Sequence, residues 1–266
     1  MTAPVRVEVG PVSRIVLSRP DKQNAMTAEM GRLVSEAVQT LNASREPRVV
    51  LVVGEGRAFC AGGDFSLIEE NSTKTPEQNR RDMIGFYSSF LSITRLAVPS
   101  VAVLQGAAVG AGLCLAMACD LRVAASEAKL GANFVRVGLH PGMGCSVLLP
   151  RLVGPAKAAE LILTGKLITG EEAAQIGLVN LAVPRAALEE HLRRPLEVDD
   201  AAAVRRAVQG RHVLVLRVER HLVEAWELRP QLFRADARLV SGDHQRDLGG
   251  VALGLDPALD LPDRAI

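Results

Sequence analysis

Aromatic side chains are scarce in this chain, with one tryptophan, one tyrosine and six phenylalanines in 266 residues. That leaves few platforms on which single-stranded bases could stack. An excess of charge of either sign is also missing. The 31 lysines and arginines nearly balance 30 aspartates and glutamates, for a formal net charge of +1. No basic face implies nucleic acid, so no nucleic-acid partner is expected. The four cysteines, Cys60, Cys114, Cys119 and Cys145, lack any CxxC spacing and lie in apolar segments. Reduced core thiols are expected, rather than disulfides or a zinc site. No apolar run of signal length opens the chain, and MTAPVRVEVGPVSRIVLSRP reads as strands. A cytoplasmic protein is expected. There is no GxGxxG opening a helix after a strand and no GxxxxGK[ST], which disfavours a nicotinamide dehydrogenase or a P-loop nucleotide site.

What the chain does have is one long run without charge, LAVPSVAVLQGAAVGAGLCLAMAC, from Leu96 to Cys119. A bilayer-spanning helix needs about 20 apolar residues, so length alone would allow one. Pro99 and Gln105 interrupt the run, however, and Gly106, Gly110 and Gly112 are spaced like turn residues. VPSVAVLQ reads as a buried strand and LCLAMACD as a helix. The expectation is strand, glycine turn, buried helix, with no membrane span. A helix starting near Gly110–Gly112 would point unpaired N–H groups into the turn, where a phosphate or an oxyanion could sit. A plain tight turn fits the same letters.

A second segment, RVVLVVGEGRAFCAGGDFSLI, repeats the arrangement. Val49–Val53 reads as a continuous apolar strand, GEGRAFCAGGD as a loop of small residues, and Asp64 as the cap of a following helix. Two such loops after two parallel strands can converge on one carbonyl oxygen.

These segments, with IVLSRPDKQNAM before them and VGLHPGMG and LPRLVGPAKAAELILTGKLITGEEAAQIGLVN after them, resemble the crotonase (enoyl-CoA hydratase/isomerase) superfamily from about Ile15 to Leu181. The resemblance implies an α/β fold, a spiral of ββα units over residues 1–190. It also implies a C-terminal helical region over 191–266 that packs homotrimers, often paired into hexamers. The C-terminal part matches poorly from about Arg185; its SGDHQRDLGGVALGL is only faintly similar to the family's closing segment. The implied ligand is a coenzyme A thioester, bound as substrate, with no tightly bound cofactor and no metal. Carried over residue by residue, the oxyanion-hole amides belong to Gly63 and Ala111. Ala61 and its neighbour Gly62 approach the coenzyme through the backbone. Lys22 and Ala25 line its pantetheine and phosphate path, unless Lys22 is simply a solvated loop lysine. Gly110, Phe134 and Gly138 border the acyl group, and Asp64 shapes its loop.

The sequence departs from the family where acid–base chemistry would sit. Hydratases of the family carry one glutamate at the position of Cys114 and another at that of Phe134. Positioned acid–base groups contribute about 10²–10⁴-fold each, so efficient conventional hydration is doubtful. Arg136 and Gly142 stand where other members carry an aspartate, and Asn133 cannot move a proton at neutral pH. His140 is a candidate, because imidazole exchanges protons in the neutral range, or it is a turn histidine bonded to backbone. Cys114 is a candidate nucleophile only if its thiol is made acidic; otherwise it is a core residue. The polar stretch Phe65–Tyr87, which in relatives borders the acyl pocket, could add Glu69 or Glu70. Phe134 would make the pocket more apolar, or fill it. A serine protease of the related ClpP architecture is disfavoured, since Ser146 lies in GCSVLL without a GxSxG context. Two readings remain: an acyl-CoA lyase or isomerase of fatty acid metabolism that polarises a thioester between Gly63 and Ala111, and a crotonase-fold acyl-CoA binding protein with little or no catalysis.

Overall fold

Runs of valine and isoleucine, bounded by glycine and proline, set the strands. In the computed structural model, which describes residues 3–188, the chain opens with β1 (Val5–Glu8), β2 (Val12–Leu17) and helix α1 (Ala28–Ala43). Next come β3 (Val49–Gly54), α2 (Phe65–Ser72), α3 (Pro76–Leu91) and β4 (Ser100–Leu104). The uncharged run then continues through β5 (Ala108–Val109) into α4 (Ala111–Met117). Beyond it lie β6 (Leu121–Ala125), β7 (Lys129–Gly131), α5 (Cys145–Val153), α6 (Pro155–Thr164), β8 (Ile168–Thr169), α7 (Gly170–Gln175) and β9 (Leu181–Val183). The described residues fall within one compact unit. The expected helical trimerisation region and the segment SGDHQRDLGGVALGL lie outside the described residues.

Two sheets share the work. One has six strands in the order β1-β2-β3-β4-β6-β9, the other three in the order β5-β7-β8. The chain crosses from the large sheet to the small one at β4 to β5 and at β6 to β7, and returns from β8 to β9. This is the ββα spiral. In the large sheet only β1 runs antiparallel to its neighbour; β2, β3, β4, β6 and β9 are parallel, with Val16 beside Val53 and Val52 beside Ala102. All five residues of β4 are buried, as expected for a parallel strand covered on both faces. The apolar run is therefore core and turn, and among the described residues no helix is long and apolar enough to cross a membrane.

Asp120 and Arg122 are held in this core by hydrogen bonds. Asp120, which ends the uncharged run, accepts the Ser100 N–H and hydroxyl, each at 2.8 Å, and its own N–H donates to Ser100 Oγ at 3.0 Å. That clasp locks the entry of β4 to the exit of α4. Arg122 is 4% exposed. Its guanidinium donates to the carbonyls of Leu178 and Cys119, both at 2.9 Å, and burial lowers its pKa from the usual arginine value. All four cysteines are free and buried, and burial pushes Cys60 and Cys119 up to about 12, which suits inert core thiols.

Replacing Asp120 with alanine strips the shared acceptor, Oδ2, from both Ser100 donors. A loss of about 2 kcal/mol is expected, since buried donors left without partners cost roughly 1–3 kcal/mol each. Urea denaturation of the Asp120→Ala protein measures it.

Candidate active site

The loops that follow β3 and β4 are pressed against each other. Cys60 and Ala108 form an isolated parallel bridge, with Cys60 N–H donating to Ala107 O and Val109 N–H to Cys60 O, both at 3.1 Å. A second bridge joins Met26 to Gly63: Met26 N–H donates to Gly62 O at 2.8 Å and Asp64 N–H to Met26 O at 3.0 Å. In a parallel bridge of this pattern the central residue's own N–H faces away from its partner strand. The Gly63 amide thus turns away from Met26, and a Cβ on Gly63 would meet nothing within 4 Å. Ala111 is the first residue of α4, so its N–H has no acceptor within the helix. Gly62 links the two positions. Its φ is +97°, and a Cβ there would lie 3.0 Å from Val109 O and 3.7 Å from Ala111 N. Gly112 is equally constrained, since a Cβ would collide with the Cys60 carbonyl.

Two buried amides hold the first loop in shape. Asn24, in a left-handed conformation with φ 56°, donates from Nδ2 to the carbonyls of Glu55, Ala58 and Phe59 at 3.0, 2.9 and 3.2 Å. Gln105 donates from Nε2 to Gly54 O at 2.6 Å and Ala58 O at 2.9 Å. Arg19 fastens the outside of the loop, reaching Ala25 O at 2.6 Å and Asp64 Oδ2 at 3.0 Å. Burial pushes the Asp64 carboxyl up. The Arg19 guanidinium and the Ser66 donors outweigh it and hold the pKa below the usual aspartate value.

The two amide-bearing loops open on a cavity of about 490 Å³. Among the expected site residues it gathers Ala61, Gly62, Gly63, Gly110, Ala111, Phe134 and His140. Phe134 is 8% exposed. A Cβ on Gly110 would lie 3.9 Å from its ring and 3.3 Å from Asn133 Oδ1, so an aromatic face and an amide oxygen flank the hole. His140 is exposed at the rim. Lys22, Ala25, Asp64 and Gly138 lie outside the lining. Lys22 is exposed on the turn Pro20–Lys22, Ala25 and Asp64 serve the loop clasp, and Gly138 caps the turn Asn133–Val137 with φ 71°.

Three expectations need correction. Cys114 is fully buried outside the cavity lining. A hydrogen bond shared with Cys145, together with burial, raises its pKa well above the usual thiol value. The acidic thiol required of a nucleophile is therefore absent. Glu69 and Glu70 are not in the lining either; Glu70 pairs with Lys74 at 2.8 Å on the surface. The segment around them contributes instead Phe65, Leu67, Ile68, Asn71, Asn79, Met83, Phe86 and Tyr87. Tyr87 was missed by the sequence reading, although its being the sole tyrosine on a helix with Met83 and Phe86 at i−4 and i−1 was visible. Burial raises its pKa, and the Cys114 thiol adds to the rise. Among the described residues no aspartate, glutamate, lysine or arginine lines the cavity, and no three His, Cys, Asp or Glu side chains cluster as a metal site would require.

Fold and cavity define a crotonase-like α/β protein with a cavity between two strand-to-turn loops. The enoyl-CoA hydratase/isomerase family model matches residues 9–239, and the chain belongs to that family, whose members act on coenzyme A thioesters. It is similar to the Mycobacterium tuberculosis protein named "Probable enoyl-CoA hydratase EchA14", 34% identical over 88% of this chain and 94% of the relative. The crystal structure of an enoyl-CoA hydratase from Bacillus anthracis superposes with a TM-score of 0.65 at 33% identity, covering 71% of this chain and 73% of that one. That of an enoyl-CoA hydratase from Polaromonas sp. JS666 does so at 0.66 and 34%, covering 71% and 74%.

Two outcomes test this construction. Gly62→Ala forces a side chain into a positive-φ position against Val109 O, and should lower stability by about 1–3 kcal/mol in urea denaturation. The Arg19–Asp64 tie predicts a pH signature. Because the folded Asp64 carboxyl is held below its unfolded value, its contribution is complete above the unfolded pKa and lost as pH falls through the folded one. The stability gap between wild type and Asp64→Asn should hold through neutral pH and close on acidification.

Proposed function

We propose that the protein is an acyl-CoA enzyme that polarises a thioester carbonyl between the Gly63 and Ala111 amides, with neither family glutamate in place. The observation that supports this reading is that Gly63 and Ala111 both line one largely apolar cavity. Addition to, or isomerisation of, an enoyl thioester pushes negative charge onto the carbonyl oxygen. Fixed N–H donors in a site shielded from water stabilise that charge without reorganising, and removing one such donor costs about 3–4 kcal/mol of barrier. Phe134, Phe65, Leu67, Ile68, Met83 and Phe86 surround the remaining space, which suits an aliphatic acyl chain rather than a charged one. Cys114 and Phe134 occupy the positions of the family's water-activating carboxylates, so a slow or altered reaction is expected relative to a two-glutamate hydratase.

The lack of any carboxylate among the described lining residues favours one second reading, a crotonase-fold protein that binds acyl-CoA without turning it over. The two readings separate in a single assay. Purified protein is titrated with trans-2-enoyl-CoAs of increasing chain length, following binding by calorimetry and loss of the conjugated thioester absorbance. Turnover well above that of Gly63→Pro, which deletes one amide, is the expected result. Micromolar binding without turnover would favour the binder, and no binding to any acyl-CoA would sink both.

A further inference from the structure

Among the described residues, two side chains able to exchange a proton line the cavity, His140 at its exposed rim and Tyr87 in its wall. Tyr87 sits near the end of α3, its ring edge-on to Phe86 at 5.9 Å between centroids. Phe86 in turn packs on the buried Phe90 at 5.1 Å. This stack holds the phenol in one orientation. Its hydroxyl abuts the backbone of Gly142, so closely that a Cβ at that position would overlap the oxygen. The Gly142 carbonyl is also where the Cys114 thiol points, at 3.7 Å. Cys114 lies three residues along α4 from the Ala111 amide. The Tyr87 hydroxyl therefore reaches the same Gly142 backbone as Cys114, and Tyr87, unlike Cys114, lines the cavity.

We propose that Tyr87 is the proton-transfer residue of this site, protonating C2 of a 2-enoyl thioester and taking a proton back from the added water. The proposal rests on the reading of the site as an acyl-CoA enzyme. The step balances with water as the only co-reactant. Water oxygen bonds to C3 while the C2=C3 electron pair shifts toward the thioester oxygen, held by the Gly63 and Ala111 amides. As that pair returns, the Tyr87 O–H bond breaks and its proton forms the new C2–H bond. The proton released by the added water passes to the phenolate oxygen, so one molecule of water has been added and Tyr87 ends as it began. Burial keeps the phenol protonated in the resting site. It also makes the transient phenolate a stronger base toward that water than an ordinary tyrosinate. One neutral hydroxyl thus does in turn what a carboxylate pair does together.

Two variants test it, alongside wild-type protein, with trans-2-octenoyl-CoA as the probe, following both turnover and binding by calorimetry. Tyr87→Phe keeps the ring and removes the oxygen, while Gly142→Ala keeps the oxygen and displaces it. The expected result is wild-type turnover, with kcat about 100-fold lower or more in Tyr87→Phe and little change in Kd. Gly142→Ala should fall in the same direction, and it decides the matter alone if Tyr87→Phe does not fold. A packing role would instead leave Tyr87→Phe, which retains the whole ring, close to wild type in kcat. That outcome overturns the role of Tyr87 and leaves the acyl-CoA enzyme standing. Binding by wild type without turnover overturns the enzyme reading, and the Tyr87 step with it.

Discussion

The close approach of two backbone loops, one after β3 and one after β4, is the constraint on which the site depends. The bridge between Cys60 and Ala108 brings them within hydrogen-bonding distance. At Gly62 and Gly112 there is no room for a side chain, because Val109 O and Cys60 O already occupy the space. Glycine is costly in flexibility but is the residue that permits such an approach. Everything that surrounds these loops acts to keep them there. Asn24 and Gln105 gather the carbonyls of the first loop from inside, Arg19 and Asp64 tie it from outside, and the Ser100–Asp120 clasp fixes the strand and helix that flank the second.

Holding the loops this way gives the cavity its chemical character. Among the described residues its wall holds no charged side chain, which leaves fixed dipoles to stabilise developing charge, and in surroundings of low polarity such dipoles act strongly. The same apolar wall makes ionised groups expensive. The Tyr87 phenol in that wall and the neighbouring Cys114 thiol are both pushed up in pKa.

Much of this was legible in the sequence. The strand–turn–helix parse of the uncharged run holds, with β4 at Ser100–Leu104 and α4 beginning at Ala111, because proline, glycine and valine act locally. Asp64 caps α2, its side chain accepting the Ser66 N–H, as a short polar residue before a helix should. What could not be read is what arises at long range. Gln105 looked like an interruption of an apolar run, and its meaning lies in carbonyls some fifty positions earlier in the chain. Cys114 looked like a reactive candidate at a helix start, but its fate is set by burial against Cys145. Tyr87 was passed over for Glu69 and Glu70, since the sequence does not say which face of a charged helix turns inward. On α3 it is the Met83, Phe86 and Tyr87 face.

The central claim is that a thioester carbonyl sits between the Gly63 and Ala111 amides and is polarised there. Vibrational difference spectroscopy of an acyl-CoA isotopically labelled at the thioester carbonyl tests this most directly. The account predicts that the carbonyl stretch moves to lower frequency on binding to the wild-type protein, and that most of the shift disappears in Gly63→Pro. A bound thioester whose carbonyl frequency matches that in water, or a shift that survives loss of the Gly63 amide, would contradict it.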